Sequence, residues 1–166
     1  MTSPAGAPSS PPAVASEAQA DFLALDQQLC FALHASSLAM TKAYKPLLAP
    51  LGLTYPQYLV MLVLWEQDGR TVLELGQALH LDSGTLTPLL KRMATSGWLS
   101  RHRDPEDERR VRIQLTEAGQ RLRDDAKAVP VAMACQLGMG EAEFTQLRQT
   151  LLGLQARLQS PPKPKA

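Results

Sequence analysis

The sequence predicts a mainly α-helical fold with a small β wing, the arrangement called a winged helix–turn–helix. Two observations within residues 71–115 carry this prediction. Two short helical patterns are separated by the turn His80-Leu81-Asp82. A strand-like segment, a charged turn and a strand with alternating apolar residues follow, which completes the order of helix, turn, helix and wing. A chain of 166 residues suffices for one domain, and only 5% of its residues are aromatic, which suits a core of aliphatic helices.

The ends of the chain differ in composition from the part between them. Residues 1–15 are rich in proline, alanine and serine and almost uncharged, so they are predicted to be disordered, as is the proline-rich segment 160–166. The predicted folded part covers residues 16–159, with the head at 71–115 and dimerisation helices at 16–52 and 117–159.

Four helices are predicted before the wing, and residues typical of a helix N terminus precede each of them. In the usual pattern, a serine or threonine is followed three residues later by a glutamine or glutamate. Apolar residues then recur at helical spacing, and in the second helix they lie on nearly every face, so this helix is predicted to be the buried centre. The capping residues are Ser16 with Gln19, Thr54 with Gln57, Thr71 with Glu74, and Asp82 or Ser83.

Prolines and glycines mark the predicted helix ends. Pro46 and Pro50 are expected to disturb the first helix, and Gly52 suits its C-terminal cap. Pro88 restricts where the fourth helix begins, because proline is tolerated near the first turn or at a kink. Gly97 is predicted to end that helix before the wing strands at 98–103 and 111–115.

Two further helices are predicted after the wing. Thr116 is expected to cap a helix that runs to about Gln136 with a kink at Pro130, and residues 140–159 form the last helix. Little else in the chain can cover the apolar stripes of the first and last helices, so these helices pack either on the winged head or on a second copy of the chain. The second arrangement is favoured, which predicts a homodimer through the N- and C-terminal helices.

The head carries a local cluster of positive charge on a chain whose net charge is only +1. This predicts a face for double-stranded DNA, in which helix hydroxyls and wing arginines contact phosphates, base edges and the minor groove. The leucines of the fourth helix and Met93 are predicted to face inward. For any single residue, a helix cap or a solvated loop remains the alternative. The predicted contacts are Ser83, Thr85, Thr87, Lys91, Arg92, Arg101, Arg103, Arg109 and Arg110, with Arg112 also able to hold a phosphate.

The run from Asp82 to Gly119 reads DxxxLTxLLKRMxxxGWLxRxRDPEDERxVxIxLTEAG, and it closely resembles the MarR family of winged-helix repressors. The resemblance covers about residues 21–159. It implies dimerisation through the terminal helices and binding to a pseudo-palindromic DNA operator.

The segment that begins LDQQLCFALHASS is similar to the organic hydroperoxide-resistance repressors, the thiol-sensing branch of that family. This resemblance implies that Cys30 is the peroxide-reactive residue, that Tyr44 and Tyr55 hydrogen-bond its thiolate, and that Cys135 is the resolving residue of a two-cysteine type. On the residues alone, a cysteine in the middle of an apolar helix is more often a small core residue, and both cysteines keep that alternative.

A reactive thiolate needs hydrogen-bond donors or positive charge near it. No lysine, arginine or histidine lies within three residues of Cys30, although His34 could face it. Tyr44 follows 14 residues later, which in one helix places it about 21 Å away. A site across a two-fold dimer interface is therefore predicted. Its apolar lining is expected to come from Leu29, Phe31, Leu33 and Met61.

These inferences predict a redox-sensing transcriptional repressor and no enzyme. An organic hydroperoxide would oxidise Cys30 to the sulfenic acid, a disulfide with Cys135 would release the operator, and cellular thiols would reset the protein. The alternative is a repressor of the same fold that is gated by a small aromatic ligand. A thiol peroxidase, the enzyme alternative, is disfavoured because it would need a cationic activator near its reactive cysteine, and none is evident near Cys30 in the sequence. A metal sensor is disfavoured because His34, His80 and His102 have no metal-ligand spacing, and no cofactor is expected.

The sequence also predicts where the protein acts. It shows no signal peptide and no apolar run of membrane-spanning length, so no membrane partner is expected. With two cysteines there is no disulfide framework, which predicts a cytoplasmic protein whose thiols start reduced.

Overall fold

The structure is a computed structural model that describes residues 23–105, 107 and 109–160. The predictions for residues 1–15 and 161–166 and for the cap at Ser16 lie outside these residues. The described residues form two compact units, a first unit that ends at Ser37 and a second unit that begins at Leu38.

In the first unit, a 3₁₀ turn at Leu25–Gln27 precedes helix α1, which spans Leu29–Leu48 and ends in the second unit. The prediction of one continuous first helix that includes Leu25 is wrong, because the extended backbone of Gln28 separates the turn from α1. As a result Cys30, which was predicted to lie in the middle of a helix, is the second residue of α1.

The second unit contains the winged helix–turn–helix and the C-terminal helices, as predicted. A 3₁₀ turn at Ala49–Leu51 follows α1, and Gly52 ends it with a positive φ of 67°. The remaining elements are α2 (Tyr55–Glu66), α3 (Val72–Leu79), α4 (Ser83–Thr95), β1 (Leu99–Arg103), β2 (Val111–Leu115), α5 (Glu117–Ala126), α6 (Ala128–Leu137) and α7 (Glu141–Gln159).

The predicted caps of α2 and α3 are confirmed. The side chain of Gln57 accepts a hydrogen bond from the backbone N–H of Thr54 at 2.7 Å. The carboxylate of Glu74 accepts from the backbone N–H of Thr71 at 2.7 Å, and the Thr71 hydroxyl accepts from the N–H of Glu74 at 3.2 Å. Asp82 is the N-cap of α4. These bonds satisfy amide groups that a helix start leaves without partners.

The two wing strands pair antiparallel, with Leu99 opposite Leu115. The edge of β2 that faces away from β1 pairs with the segment before α3. There the Ile113 N–H donates to the Arg70 carbonyl at 2.8 Å, and Thr71 forms an isolated antiparallel β-bridge with Arg112. The wing is therefore tied to the start of the helix–turn–helix.

Helix α2 is the buried centre, as predicted. Its residues Val60, Met61 and Leu64 are almost fully buried, and the inward side of α4 packs in the same core. The α4 residues predicted to face inward, Leu86, Leu89, Leu90 and Met93, are all buried. In the described part of the chain, no single helix is long and apolar enough to cross a membrane, and one bent pair, Leu29–Leu51 with Tyr55–Glu66, passes on length and composition alone.

The prediction of one helix from Thr116 to about Gln136 is wrong. Helix α5 ends at Ala126, and α6 begins after a break at Lys127. Pro130 has no N–H to donate to the Ala126 carbonyl four residues earlier, so the break falls before the proline rather than at it.

The caps make the stability of the fold sensitive to acid. Hydrogen bonds from the Thr71 backbone and hydroxyl hold the pKa of Glu74 below its ordinary value of 4.5. Because the unfolded chain then binds more protons in acid, this stabilisation is present above pH 4.5 and is lost as the pH falls through the lowered pKa.

We expect Glu74→Gln to lower the thermal midpoint near pH 6 by about 1–2 °C, since the carboxylate is exposed and screened. The difference from the wild type should disappear near pH 3. Circular-dichroism melts at both pH values test this, with the exposed Glu143→Gln as the matched control. A constant difference at both pH values would contradict the argument.

Candidate DNA-binding face and thiol site

The first turn of α4 presents short hydroxyl side chains on the surface. The Asp82 carboxylate accepts the N–H and the hydroxyl of Thr85 at 2.9 Å and 2.8 Å, which fixes the helix start. Hydrogen bonds with Thr85 lower the pKa of Asp82, so this cap is ionised at neutral pH. Of the predicted DNA contacts on this helix, Thr87 is half-buried, and the exposed ones are Ser83, Thr85, Lys91 and Arg92.

The wing carries the other predicted contacts. Arg109 and Arg110 are exposed at its tip, where Asp107 accepts the Arg109 N–H at 3.1 Å and pairs with Arg110 at 3.3 Å. On β1, Arg103 is exposed and Arg101 is half-buried. The Arg101 Nε is buried without a hydrogen-bond partner among the described residues. The helix hydroxyls and the wing arginines both belong to the second unit.

Arg112, which was predicted to be able to hold a phosphate, has two partners within the second unit. Its Nε donates to Asp104 Oδ2 at 2.8 Å, and a second guanidinium nitrogen donates to the Gly69 carbonyl at 3.1 Å. Asp104, at the start of the charged turn between the two strands, is only 3% exposed. Arg112 therefore fixes the base of the wing. Neither residue type nor spacing distinguishes this arginine from its neighbours.

Three tyrosines lie together in the second unit. The ring centroids of Tyr44 and Tyr55 are 4.8 Å apart, and Tyr58 lies 5.8 Å from Tyr44. Burial raises the pKa of all three phenols, and a charge on Tyr55 raises the pKa of Tyr44 further. Their hydroxyls are therefore protonated at neutral pH and can donate to an anion. Tyr44 and Tyr55 were predicted to belong to the site, but Tyr58 was not, although it follows Tyr55 by three residues on the same helix.

Both cysteines are free thiols and both are exposed in this chain. Cys30 belongs to the first unit and Cys135, on α6, belongs to the second. Of the predicted apolar lining, Leu29 and Phe31 are exposed, but Met61 has no exposed surface, so the prediction that it lines the site is wrong. No group of three or more potential metal-ligating side chains occurs among the described residues.

Comparisons with known proteins identify relatives of this chain and solved structures with the same fold. Residues 42–126 match the family of the transcriptional regulator SarA/Rot. Over 140 residues the chain is 48% identical to the organic hydroperoxide resistance transcriptional regulator of Bacillus subtilis, which covers 84% of this chain and 93% of that relative. It is also 48% identical over 134 residues to the HTH-type transcriptional regulator TtmR of Methylorubrum extorquens, covering 81% of this chain and 69% of the relative.

Solved structures agree. Reduced AbfR bound to DNA superposes with a TM-score of 0.70 at 37% identity, covering 81% of this chain and 92% of AbfR. The structure of disulfide-formed AbfR gives a TM-score of 0.56 at 40% identity and covers 78% of this chain and 91% of AbfR. A MarR-family transcriptional regulator from Rhodococcus sp. RHA1 gives a TM-score of 0.70 at 30% identity, and the match covers 80% of this chain and 95% of that regulator. The chain thus belongs to the MarR family of winged-helix transcriptional regulators, in the branch of the organic hydroperoxide resistance regulators.

Proposed function

We propose that this protein is a redox-sensing repressor that binds a double-stranded DNA operator when it is reduced and releases it when an organic hydroperoxide oxidises Cys30. The observation that carries the proposal is the pair of protonated phenols at Tyr44 and Tyr55, whose rings are 4.8 Å apart. The relatives support it, because one is an organic hydroperoxide resistance regulator and AbfR exists in a reduced DNA-bound form and a disulfide form.

The head supplies the DNA contacts. The exposed hydroxyls of α4 lie at a helix N terminus, where backbone amides also favour phosphate oxygens. Arg109 and Arg110 are exposed at the wing tip, from which they reach a neighbouring minor groove, Arg110 by giving up its ion pair with Asp107. The basic residues of β1 and α4 hold phosphates. A pseudo-palindromic operator then requires two heads at a fixed spacing.

A homodimer provides that spacing. Helix α7 exposes a stripe of large apolar side chains, with exposed fractions between 44% and 76%, which is unusual for a surface that faces only water. Pairing of two copies through their terminal helices buries this stripe and gives the two-fold symmetry of the operator. The stripe consists of Phe144, Leu147, Leu151 and Leu158.

The dimer also completes the thiol site. Cys30 lies in the first turn of α1, where the amide groups of a helix start favour a negative charge. Tyr44 follows it by 14 residues, so in one helix the two are about 21 Å apart. We therefore assign the hydrogen bonds to the Cys30 thiolate to the tyrosines of the other protomer.

The chemistry balances with the peroxide as the oxidant. The Cys30 thiolate attacks one peroxide oxygen, the O–O bond breaks, and a sulfenic acid forms while the other oxygen takes a proton and leaves as the alcohol. The thiolate of Cys135 from the other protomer then attacks the oxidised sulfur, which forms a disulfide and breaks the S–O bond, and the departing hydroxide takes a proton from solvent and leaves as water. A disulfide requires Cα atoms within about 7 Å, so α6 must bring Cys135 within that distance of Cys30 when the bond forms. Cellular thiols reduce the disulfide and restore DNA binding.

The direct test measures operator binding by fluorescence anisotropy, using the reduced protein before and after treatment with cumene hydroperoxide. We expect release after oxidation and recovery after addition of dithiothreitol. Mass spectrometry of the same samples verifies that the thiol has been oxidised. If the fully oxidised protein binds the operator as tightly as the reduced protein, the proposal is wrong.

Cys135→Ser separates the two chemical steps. We expect this variant to leave the operator when Cys30 is oxidised, but to form no covalent dimer on a non-reducing gel, because no second thiol attacks the sulfenic acid. Labelling with dimedone should show a longer-lived sulfenic acid than in the wild type. A covalent dimer in the variant would mean that Cys135 is not the resolving residue.

A further inference from the structure

Four aromatic side chains form a continuous row through the second unit. The row begins with the two tyrosines of the proposed thiol site and passes through Tyr58. It ends at Trp65, whose ring centroid lies 6.4 Å from that of Tyr58 in an edge-on arrangement. Tyr58 is only 2% exposed, so this ring cannot move without displacing its neighbours.

The far end of the row is hydrogen-bonded to the first turn of α5, which packs against the residue before the first wing strand. Trp65 Nε1 donates a hydrogen bond to the Gly119 carbonyl at 2.9 Å, in the first turn of α5. Gly119 itself packs directly against the Trp98 carbonyl, so closely that no side chain would fit there. Trp98 is the residue before β1, so Trp65 is bonded to the turn of α5 that supports the first wing strand.

Thr116, the N-cap of α5, adds hydrogen bonds at the same place, where α5 meets the segment between α4 and β1. The Thr116 N–H donates to the Trp98 carbonyl at 3.1 Å, and the Thr116 hydroxyl donates to the Gly97 carbonyl at 2.6 Å. These hydrogen bonds therefore connect the segment after α4, the start of β1 and the start of α5. The indole of Trp65 is bonded to this junction.

We infer that Trp65 is a positioning residue that couples the tyrosines of the thiol site to the wing through Tyr58. The inference rests on the proposed function and adds the route by which oxidation reaches the DNA-binding face. Oxidation of Cys30 removes the anion to which Tyr44 donates, and the Tyr44 ring shifts. Because Tyr58 and Trp65 are packed in contact, they shift in turn, and the bond to Gly119 transfers the movement to β1 and the wing.

Trp65→Phe tests this coupling, because it keeps an aromatic ring in the row and removes the donor to Gly119. Three quantities are measured: the rate of Cys30 sulfenic acid formation with cumene hydroperoxide, and the operator Kd of the reduced and of the oxidised protein. We expect the oxidation rate and the reduced Kd to stay within about twofold of the wild type, because Trp65 is assigned to neither reacting group, while the ratio of oxidised to reduced Kd falls about three- to tenfold.

The matched control is Trp98→Phe, the same substitution in the adjacent tryptophan. The Trp98 ring lies over Gly52, where a Cβ would come within 3.4 Å of it, and is not part of the row. We expect this variant to keep the wild-type ratio of oxidised to reduced Kd. Tyr58→Leu breaks the row at its buried member and is expected to reduce the ratio as Trp65→Phe does, which gives a second test if the first variant folds poorly.

The outcomes are distinct. A wild type that stays on the operator when oxidised overturns the proposed function and this inference with it. A wild type that is released, together with Trp65→Phe and Tyr58→Leu variants that are released to the same extent, overturns the inference alone. A lower ratio of oxidised to reduced Kd in Trp98→Phe as well also overturns it, since the loss would then reflect general loosening of the head.

Discussion

Cys30→Ser is expected to remain on the operator at hydroperoxide concentrations that release the wild type completely. A serine hydroxyl is a much weaker nucleophile than a thiolate and has no oxidation chemistry with a peroxide, so the first chemical step is lost. Cys30 is exposed and close in size to serine, so we expect folding and reduced operator affinity to be unchanged.

Operator anisotropy during titration with cumene hydroperoxide measures this effect, with Cys135→Ser as the matched control, since it makes the same change at the other exposed cysteine. We expect only the control to be released. The experiment also separates the two candidate modes of regulation. If Cys30→Ser were released by the hydroperoxide as readily as the wild type, the cysteine would not be the sensor, and a repressor gated by a bound ligand would be the better description.

The parts of the fold that follow local rules could be predicted from the sequence. The cap at Thr71 and Glu74 and the strand Val111–Leu115 depend on residues close together in the chain, and the structure has both where the pattern placed them. The burial of α2 followed from apolar residues on nearly all its faces.

The parts that depend on distant pairing could not be predicted. The three tyrosines meet because Tyr44, near the end of α1, packs against α2, and only two of them were predicted, since nothing local marks Tyr58 as different from a core residue. The break before α6 was placed at Pro130 itself, although a proline affects the carbonyl four residues upstream. The role of Arg112 depends on the burial of Asp104, which a run of acidic and basic residues does not indicate.

Removing the side chain of Arg112 is expected to destabilise the head and weaken operator binding together. Arg112→Ala takes away the cation that the structure places 2.8 Å from the carboxylate of Asp104, which is only 3% exposed. Breaking a fully buried pair costs about 3–5 kcal/mol, and because the arginine side chain is 40% exposed we expect about 1–3 kcal/mol here. The thermal midpoint should fall by about 3–9 °C.

Operator affinity should fall in the same variant because Arg112 also donates to Gly69, on the segment that precedes α3, and so sets the angle of the wing relative to the helix–turn–helix. Arg110→Ala is the matched control. Its ion pair with Asp107 is long and its side chain is 64% exposed, so its loss should change stability by less than about 1 kcal/mol.

The control should nevertheless weaken operator binding, because Arg110 lies at the wing tip, and it should reduce the dependence of binding on salt concentration. The pair of variants therefore separates an arginine that contacts DNA from one that holds the wing in place. Thermal melts and salt titrations of operator binding measure both effects. If Arg112→Ala melted at the wild-type temperature and altered only the salt dependence, Arg112 would be a phosphate contact after all, and the Asp104 carboxylate would not need it.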